Sequence, residues 1–256
     1  MRFASLGSGS KGNSTVIDNG ETCILIDLGF TVKESERRLG RLGILPEAID
    51  AILVTHEHAD HIHGVAPFAR KYKTPVYLTP ATYEEKKMGT LPDLHSVNCH
   101  KNFSIGSFEI EPVAVPHDAK EPCQYIVSFG AHRIGVLTDL GHISAHVQAR
   151  YASCHALLLE CNHDVEMLDQ GPYPYSLKKR VAGDHGHLNN EQAAELLTKV
   201  ELNELQHLVI SHISEKNNSP ELANNAIKPV LASWDGELHL SQQDLGFDWL
   251  EVYIRA

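Results

Sequence analysis

Short apolar runs separated by polar turns dominate the chain. Cys23-Ile24-Leu25-Ile26, Ala51-Ile52-Leu53-Val54, Ala156-Leu157-Leu158-Leu159 and Leu208-Val209-Ile210 are continuous rather than alternating. Such runs predict strands buried on both faces. Further strands are predicted over residues 2–6, 76–78, 108–115, 123–129 and 132–137, with short ones at 237–240 and 249–254. Residues 15–18 and 22–27 read as a hairpin turning on Asp18-Asn19-Gly20, because Asn-Gly supplies the positive φ a tight turn needs. Helical periodicity occupies residues 32–42, 65–72, 81–88, 176–182, 191–200 and 220–231, and another helix begins near Val165. This alternation of strands and helices predicts an α/β fold.

The ends of the predicted strands share a chemical character. They run into Asp27-Leu28-Gly29, Pro116-His117-Asp118-Ala119, Thr138-Asp139-Leu140-Gly141, Glu160-Cys161-Asn162-His163-Asp164 and Ser211-His212. One lone His at a strand end means little, but so many predict one shared rim, where α/β sheets gather their sites. The densest end is Thr55-His56-Glu57-His58-Ala59-Asp60-His61-Ile62-His63-Gly64, with four histidines and two acids in eight positions. Neutral imidazole and carboxylate are ligands for Zn²⁺, Fe²⁺ and Mn²⁺. His56 and His58 project to the same side of an extended loop, and Asp60 and His61 follow where a helix starts, so one stretch can serve two metals. A histidine-rich surface loop is the alternative, and its position directly after an apolar strand argues against it.

Length and charge narrow the picture. With 256 residues and 42% hydrophobic content, the chain is expected to form one domain over 1–256. A formal charge of −11 argues against broad, non-specific nucleic-acid binding through a basic surface, but not against a local site that bound cations make positive. No apolar run is long enough to span a bilayer and the first residues lack a signal-peptide pattern, so a soluble cytoplasmic protein without membrane partners is expected. Five scattered cysteines with no CxxC suggest reduced, structural thiols.

Three loops carry further candidates. In Gly7-Ser8-Gly9-Ser10-Lys11-Gly12-Asn13-Ser14, glycines permit close approach of a ligand, and Ser8, Ser10, Lys11 and Asn13 could contact a phosphate; a tight inter-strand turn is the alternative, and no G-K-[ST] makes it a P-loop. Asn162-His163-Asp164 either contacts substrate through His163 or caps the next helix. Gly186-His187-Leu188 precedes a helix capped by Asn189 or Asn190, and Lys178-Lys179-Arg180 nearby is either a solvated helix face or a hold on a nucleic-acid backbone.

Taken in order, His56-x-His58-x-Asp60-His61, His117, Asp139 and His212 resemble the ligand set of the metallo-β-lactamase fold superfamily, and the resemblance covers essentially the whole chain. It implies a four-layer αββα sandwich. It further implies His56, His58 and His117 on one metal, Asp60, His61 and His212 on another, and Asp139 bridging them, with Asp27 orienting a ligand or loop. Two divalent ions are expected, zinc first, with manganese, iron or nickel as alternatives. Glu57 and His63 fall outside the ligand pattern.

Within the superfamily the chain resembles the YycJ-type (WalJ-type) single-domain nucleases, through Ser8 to Ser14, His117-Asp118-Ala119 with Glu121-Pro122, Glu160-x-Asn162-His163-Asp164, Gly186-His187-Leu188, and His212-Ile213-Ser214 with Asn217-Asn218. That resemblance implies a DNA exonuclease working 5′ to 3′, in which Asp60 or Asp139 accepts a proton from water and His187 serves the leaving oxygen. Only 22 positions separate His117 from Asp139, too few for the substrate arm of ribonuclease Z. Two other classes remain: a phosphodiesterase for small cyclic or linear nucleotides, and a non-catalytic metal-binding module. Oligomeric state is not legible in the sequence.

Overall fold

The computed structural model describes residues 1–253. Among them the strands are β1 (Arg2–Gly7), β2 (Ser14–Asp18), β3 (Cys23–Ile26), β4 (Ala51–Leu53), β5 (Val76–Leu78), β6 (Leu94–Ser96), β7 (Phe103–Ile105), β8 (Phe108–Ala114), β9 (Cys123–Phe129), β10 (His132–Leu137), β11 (Ala156–Glu160), β12 (His207–Ser211), β13 (Glu237–Leu240) and β14 (Phe247–Glu251). The helices are α1 (Val32–Arg41), α2 (Ala59–Ile62), α3 (Val65–Tyr72), α4 (Glu85–Met88), α5 (Ala145–Tyr151), α6 (Val165–Gln170), α7 (Tyr175–Val181), α8 (Asn190–Leu197) and α9 (Pro220–Ile227). Two compact units arise: one from Met1–Ala114, Ala119–His132 and the stretch from Ser241, the other from Val115–Asp118 and Arg133–Leu240.

In the first unit a sheet runs in the order β14-β1-β2-β3-β4-β5-β6. Its first four strands are antiparallel and β3 to β6 are parallel. The β2–β3 hairpin closes as expected, with Asp18 Oδ1 accepting from Gly20 N at 2.9 Å and Asn19 Oδ1 from Thr22 N at 2.9 Å. The parallel part follows from helical crossovers through α1 and α3. Every residue of β2, β3 and β4 is buried, which is why their sequences do not alternate. Leu25, Leu39, Ile52, Phe68 and Leu78 meet in its core, each burial contributing about 1.5–3 kcal/mol. A separate antiparallel ribbon, β7-β8-β9, completes this unit.

In the second unit four parallel strands lie in the order β13-β12-β11-β10. Their register pairs Leu137 with Leu159 and Glu160 with Ser211. The carboxyl ends of β10, β11 and β12 therefore reach one edge together, and the residues just beyond them converge.

Four expectations change. The helix expected over 81–88 shrinks to α4, because Thr79 Oγ1 bonds Thr82 Oγ1 at 2.8 Å and Ala81 N donates to Glu121 Oε2 at 2.9 Å, giving the backbone a turn instead. Strands β6 and β7 are too short to leave a periodic signal. Helix α5 was not anticipated, although Ser144 Oγ caps it by accepting from Val147 N at 3.2 Å. The closing strand is shifted to Phe247–Glu251, and Ile254 of the expected strand lies outside the described residues. No disulfide joins the five cysteines, and all five are buried.

Candidate metal centre

The first unit presents the histidine stretch. Strand β4 ends at Leu53, and β9 anchors the two residues after it: Tyr125 donates its hydroxyl to the Val54 carbonyl at 2.9 Å, and Cys123 N donates to Thr55 O at 3.0 Å. Asp27, just past β3, turns back onto the same loop. Its Oδ1 accepts from Thr55 N at 2.8 Å, and its Oδ2 accepts from Thr55 Oγ1 and His61 Nδ1, both at 2.8 Å. With Nδ1–H committed to a carboxylate, His61 turns its Nε2 toward the site. His56 Nε2 faces His58 Nδ1 at 3.0 Å, two ring nitrogens aimed at one place. Asp60 lies beside His61 at 3.5 Å.

The glycine-rich loop locks this arrangement. Asn13 N donates to Asp60 O at 2.8 Å and Gly29 N to Asn13 O at 3.0 Å. Asn13 Nδ2 also reaches Asp60 Oδ2 at 3.3 Å and His61 Nε2 at 3.1 Å. The approach is so close that a Cβ on Gly29 would fall 1.8 Å from Asp60 O. Ser8 Oγ bonds Asn13 Oδ1 at 3.2 Å, so Ser8 and Asn13 are buried within the loop, whereas Ser10 and Lys11 are exposed. Glu57 accepts from Lys120 N at 3.0 Å, and His63 is exposed.

The second unit presents the other candidates. Asp139, Glu160, His187 and His212 have ligand-type atoms all within 4.8 Å of one another. Glu160 is the pivot, and sequence reasoning gave it no role. It is fully buried; Oε1 accepts from His187 Nδ1 and His212 Nδ1, both at 2.8 Å, and Oε2 from Leu140 N at 3.2 Å and Leu188 N at 3.1 Å. The available signal was its position: it ends an apolar strand, as Asp27, Asp139 and His212 follow theirs. Although burial opposes ionisation, the charge and hydrogen bond of His187, then the hydrogen bond of His212, hold the Glu160 carboxyl down to about 2. Burial works against His187 too, but the Glu160 carboxylate, then Asp139, raises the imidazolium above its ordinary value.

His117 donates its Nδ1–H to the Gly186 carbonyl at 3.0 Å, and burial pushes its imidazolium down. Gly186 permits this turn because any Cβ there would meet Val181 O at 2.1 Å, and His187 N donates to that same carbonyl at 2.9 Å. His163 is 2% exposed, and burial pushes its imidazolium to about 4. The cap of α6 is Asp164, whose Oδ1 accepts from Met167 N at 2.8 Å. In the basic triplet, Arg180 pairs with Asp118 and Lys178 bonds the Asp169 carbonyl.

Backbone conformation marks the same places. Among non-glycine described residues only Asp27, Lys73, Asp139 and His212 have positive φ, at 61°, 61°, 55° and 54°. Three of these are expected site residues. A left-handed conformation costs about 1–2 kcal/mol at such a residue, and strain of this kind persists where the surroundings over-determine it, as at functional sites.

Residues 22–213 match the model of a Beta-lactamase superfamily domain. The chain belongs to that superfamily. Within it, the chain is 37% identical over 237 residues to the exodeoxyribonuclease YycJ of Bacillus anthracis, covering 90% of this chain and 89% of the relative. It is 35% identical over 241 residues to the exodeoxyribonuclease WalJ of Streptococcus pneumoniae, covering 92% and 90%. The metallo-β-lactamase fold protein YhfI from Bacillus subtilis matches in structure with a TM-score of 0.73 at 16% identity, over 98% of this chain and 99% of that one. The expected α/β metallo-β-lactamase fold is the one found, and its clusters of buried imidazole and carboxylate suit a divalent metal. Among the described residues no helix is long and apolar enough to cross a membrane.

Proposed function

We infer that the protein is a metal-dependent phosphodiester hydrolase, a DNA exonuclease working from the 5′ end. The observation that carries this reading is the Asp139, Glu160, His187 and His212 cluster within 4.8 Å, in a chain 37% identical across 90% of its length to an exodeoxyribonuclease. Residues 1–256 act as one cytoplasmic domain. His56, His58 and His117 would hold one divalent ion and Asp60, His61 and His212 another, with Asp139 as a further ligand; zinc is the first choice, with manganese, iron or nickel as alternatives.

The donors fit such ions. His61, His117 and His212 each commit Nδ1–H to an oxygen, from Asp27, Gly186 and Glu160, and so offer Nε2 as a ligand atom. When bound, paired divalent ions lower the pKa of water and stabilise charge on phosphoryl oxygens. Asp60 or Asp139 accepts the proton of the attacking water. His187, anchored through Nδ1 on Glu160, directs Nε2 outward and gives its proton to the leaving oxygen. Ser10 and Lys11 meet a terminal phosphate, while Ser8 and Asn13 hold the loop in shape. Buried His163 lies within reach of the charges of Glu160 and His187, and Lys179 meets the DNA backbone.

A second reading, hydrolysis of small cyclic or linear nucleotides, is favoured by one feature: with a net charge of −11 and with Lys178 and Arg180 already engaged, little basic track remains. A non-catalytic module would have no use for the Glu160–His187 pair. The test is incubation of metal-reconstituted protein with 5′-phosphorylated DNA, RNA and bis-p-nitrophenyl phosphate. Shortening of the DNA is expected; turnover of the small diester with both polymers intact would overturn the nuclease reading.

A further inference from the structure

Near the start of β12, away from the rim that bears His212, a second group of ligand-type side chains faces one side of the sheet. Parallel pairing sets His207 opposite Glu237 and Val209 opposite His239. Because alternate residues of a strand share a face, His207, Glu237 and His239 point the same way. His207 Nδ1 lies 3.1 Å from His239 Nε2 and 3.7 Å from Glu237 Oε2, and His239 Nε2 lies 3.4 Å from the same carboxylate oxygen. His207 and His212 are five positions apart along an extended chain, roughly 16 Å.

These three spacings have a specific meaning. Tetrahedral zinc with bonds of about 2.0–2.1 Å sets its ligand atoms about 3.3–3.4 Å apart. The observed triangle of 3.1, 3.4 and 3.7 Å has that size, and movements of a few tenths of an ångström complete it. Exposure is graded to suit an ion at the surface: the side chains of His207, His239 and Glu237 are 9%, 23% and 69% exposed. The most buried ligand is rigid, and the carboxylate can swing in from solvent. Burial, then the neighbouring His207, pushes the His239 imidazolium down, which keeps a nitrogen lone pair available at neutral pH.

We propose that His207, Glu237 and His239 form an additional binding site for a zinc-like divalent ion, with a fourth position open to water. Its ligands come from the neighbouring strands β12 and β13, and β13 pairs on only one side within its unit. The ion staples that edge strand to β12 and stabilises the second unit when zinc is present. The site uses no residue of the proposed catalytic machinery and does not rest on the nuclease reading.

The experiment compares wild-type protein with His239→Ala and Glu237→Gln, each stripped of metal, equilibrated with micromolar free zinc and analysed for bound zinc by mass spectrometry. His239→Ala is expected to hold one zinc fewer per chain than wild type, with unchanged turnover of bis-p-nitrophenyl phosphate. Zinc titration by calorimetry should show one class of site weakened about 100-fold in His239→Ala and about tenfold or more in Glu237→Gln. Glu237 is exposed, so Glu237→Gln reports on the site even if His239→Ala is poorly folded. Equal zinc content in all three proteins, or identical isotherms for wild type and Glu237→Gln, would overturn the proposal.

Discussion

Replacing His187 by alanine separates chemistry from architecture. In the folded protein Nδ1 donates to Glu160 at 2.8 Å and the side chain is 21% exposed. Truncation removes one charge-assisted hydrogen bond, but Glu160 keeps His212 and two backbone N–H donors, and water can enter from the open side. The net loss should be about 1 kcal/mol, or about 2–4 °C in Tm for a chain of this size. The kinetic loss should be much larger. If His187 protonates the leaving oxygen of DNA, kcat falls by ~10²–10⁴-fold, equivalent to ~3–5 kcal/mol of barrier. Bis-p-nitrophenyl phosphate expels a stabilised phenolate that needs no proton, so its turnover should fall less than about tenfold. The assay is paired kinetics on both substrates, with metal content and Tm measured on the same preparations. Equal losses on both substrates, or DNA turnover within about twofold of wild type, would refute acid catalysis. A collapse of Tm with loss of metal would make His187 structural.

Other outcomes rest on the same contacts. Because Glu160 raises the His187 imidazolium, the acid is present below its folded pKa and lost as pH rises through it. Glu160→Gln should shift the alkaline limb of the DNA rate profile to lower pH, and an unmoved limb would detach Glu160 from the acid. Asp27→Ala leaves Thr55 N, Thr55 Oγ1 and His61 Nδ1 without their acceptor; a loss of about 2–4 kcal/mol and about 10–100-fold weaker metal binding are expected by denaturant titration and calorimetry. Hydrogen bonds from Arg37, then Arg38, hold Glu34 down to about 2. Since this folded value is depressed, its contribution is complete above the unfolded carboxylate range near pH 4.5 and is lost as pH falls toward 2. With 32% of that side chain exposed, solvent screening limits it to about 1 kcal/mol, so Glu34→Gln should lower Tm at pH 7 and match wild type near pH 2. Removal of metal by a chelator should abolish turnover and lower Tm, and readdition of zinc or manganese should restore both; full activity in metal-stripped protein would refute metal dependence.

Much of this protein is legible in its sequence because its signals are local. The apolar runs of β3, β4, β11 and β12 announce strands buried on both faces, and Asp18-Asn19-Gly20 announces its hairpin. The spacing of His56, His58, Asp60 and His61 announces metal chemistry, since those residue types at that density have few other uses. What the sequence could not assign were the partners that make each ligand specific. Glu160 reads as one more strand-end acid until the parallel register of β10, β11 and β12 places it under both His187 and His212. Ser8 and Asn13 read as free phosphate contacts until the folded loop turns them onto each other, and His207, Glu237 and His239 look unrelated until β13 pairs with β12. Residue type and spacing are written along the chain, but hydrogen-bond direction and register arise only when distant segments meet, and the tertiary structure alone decided those.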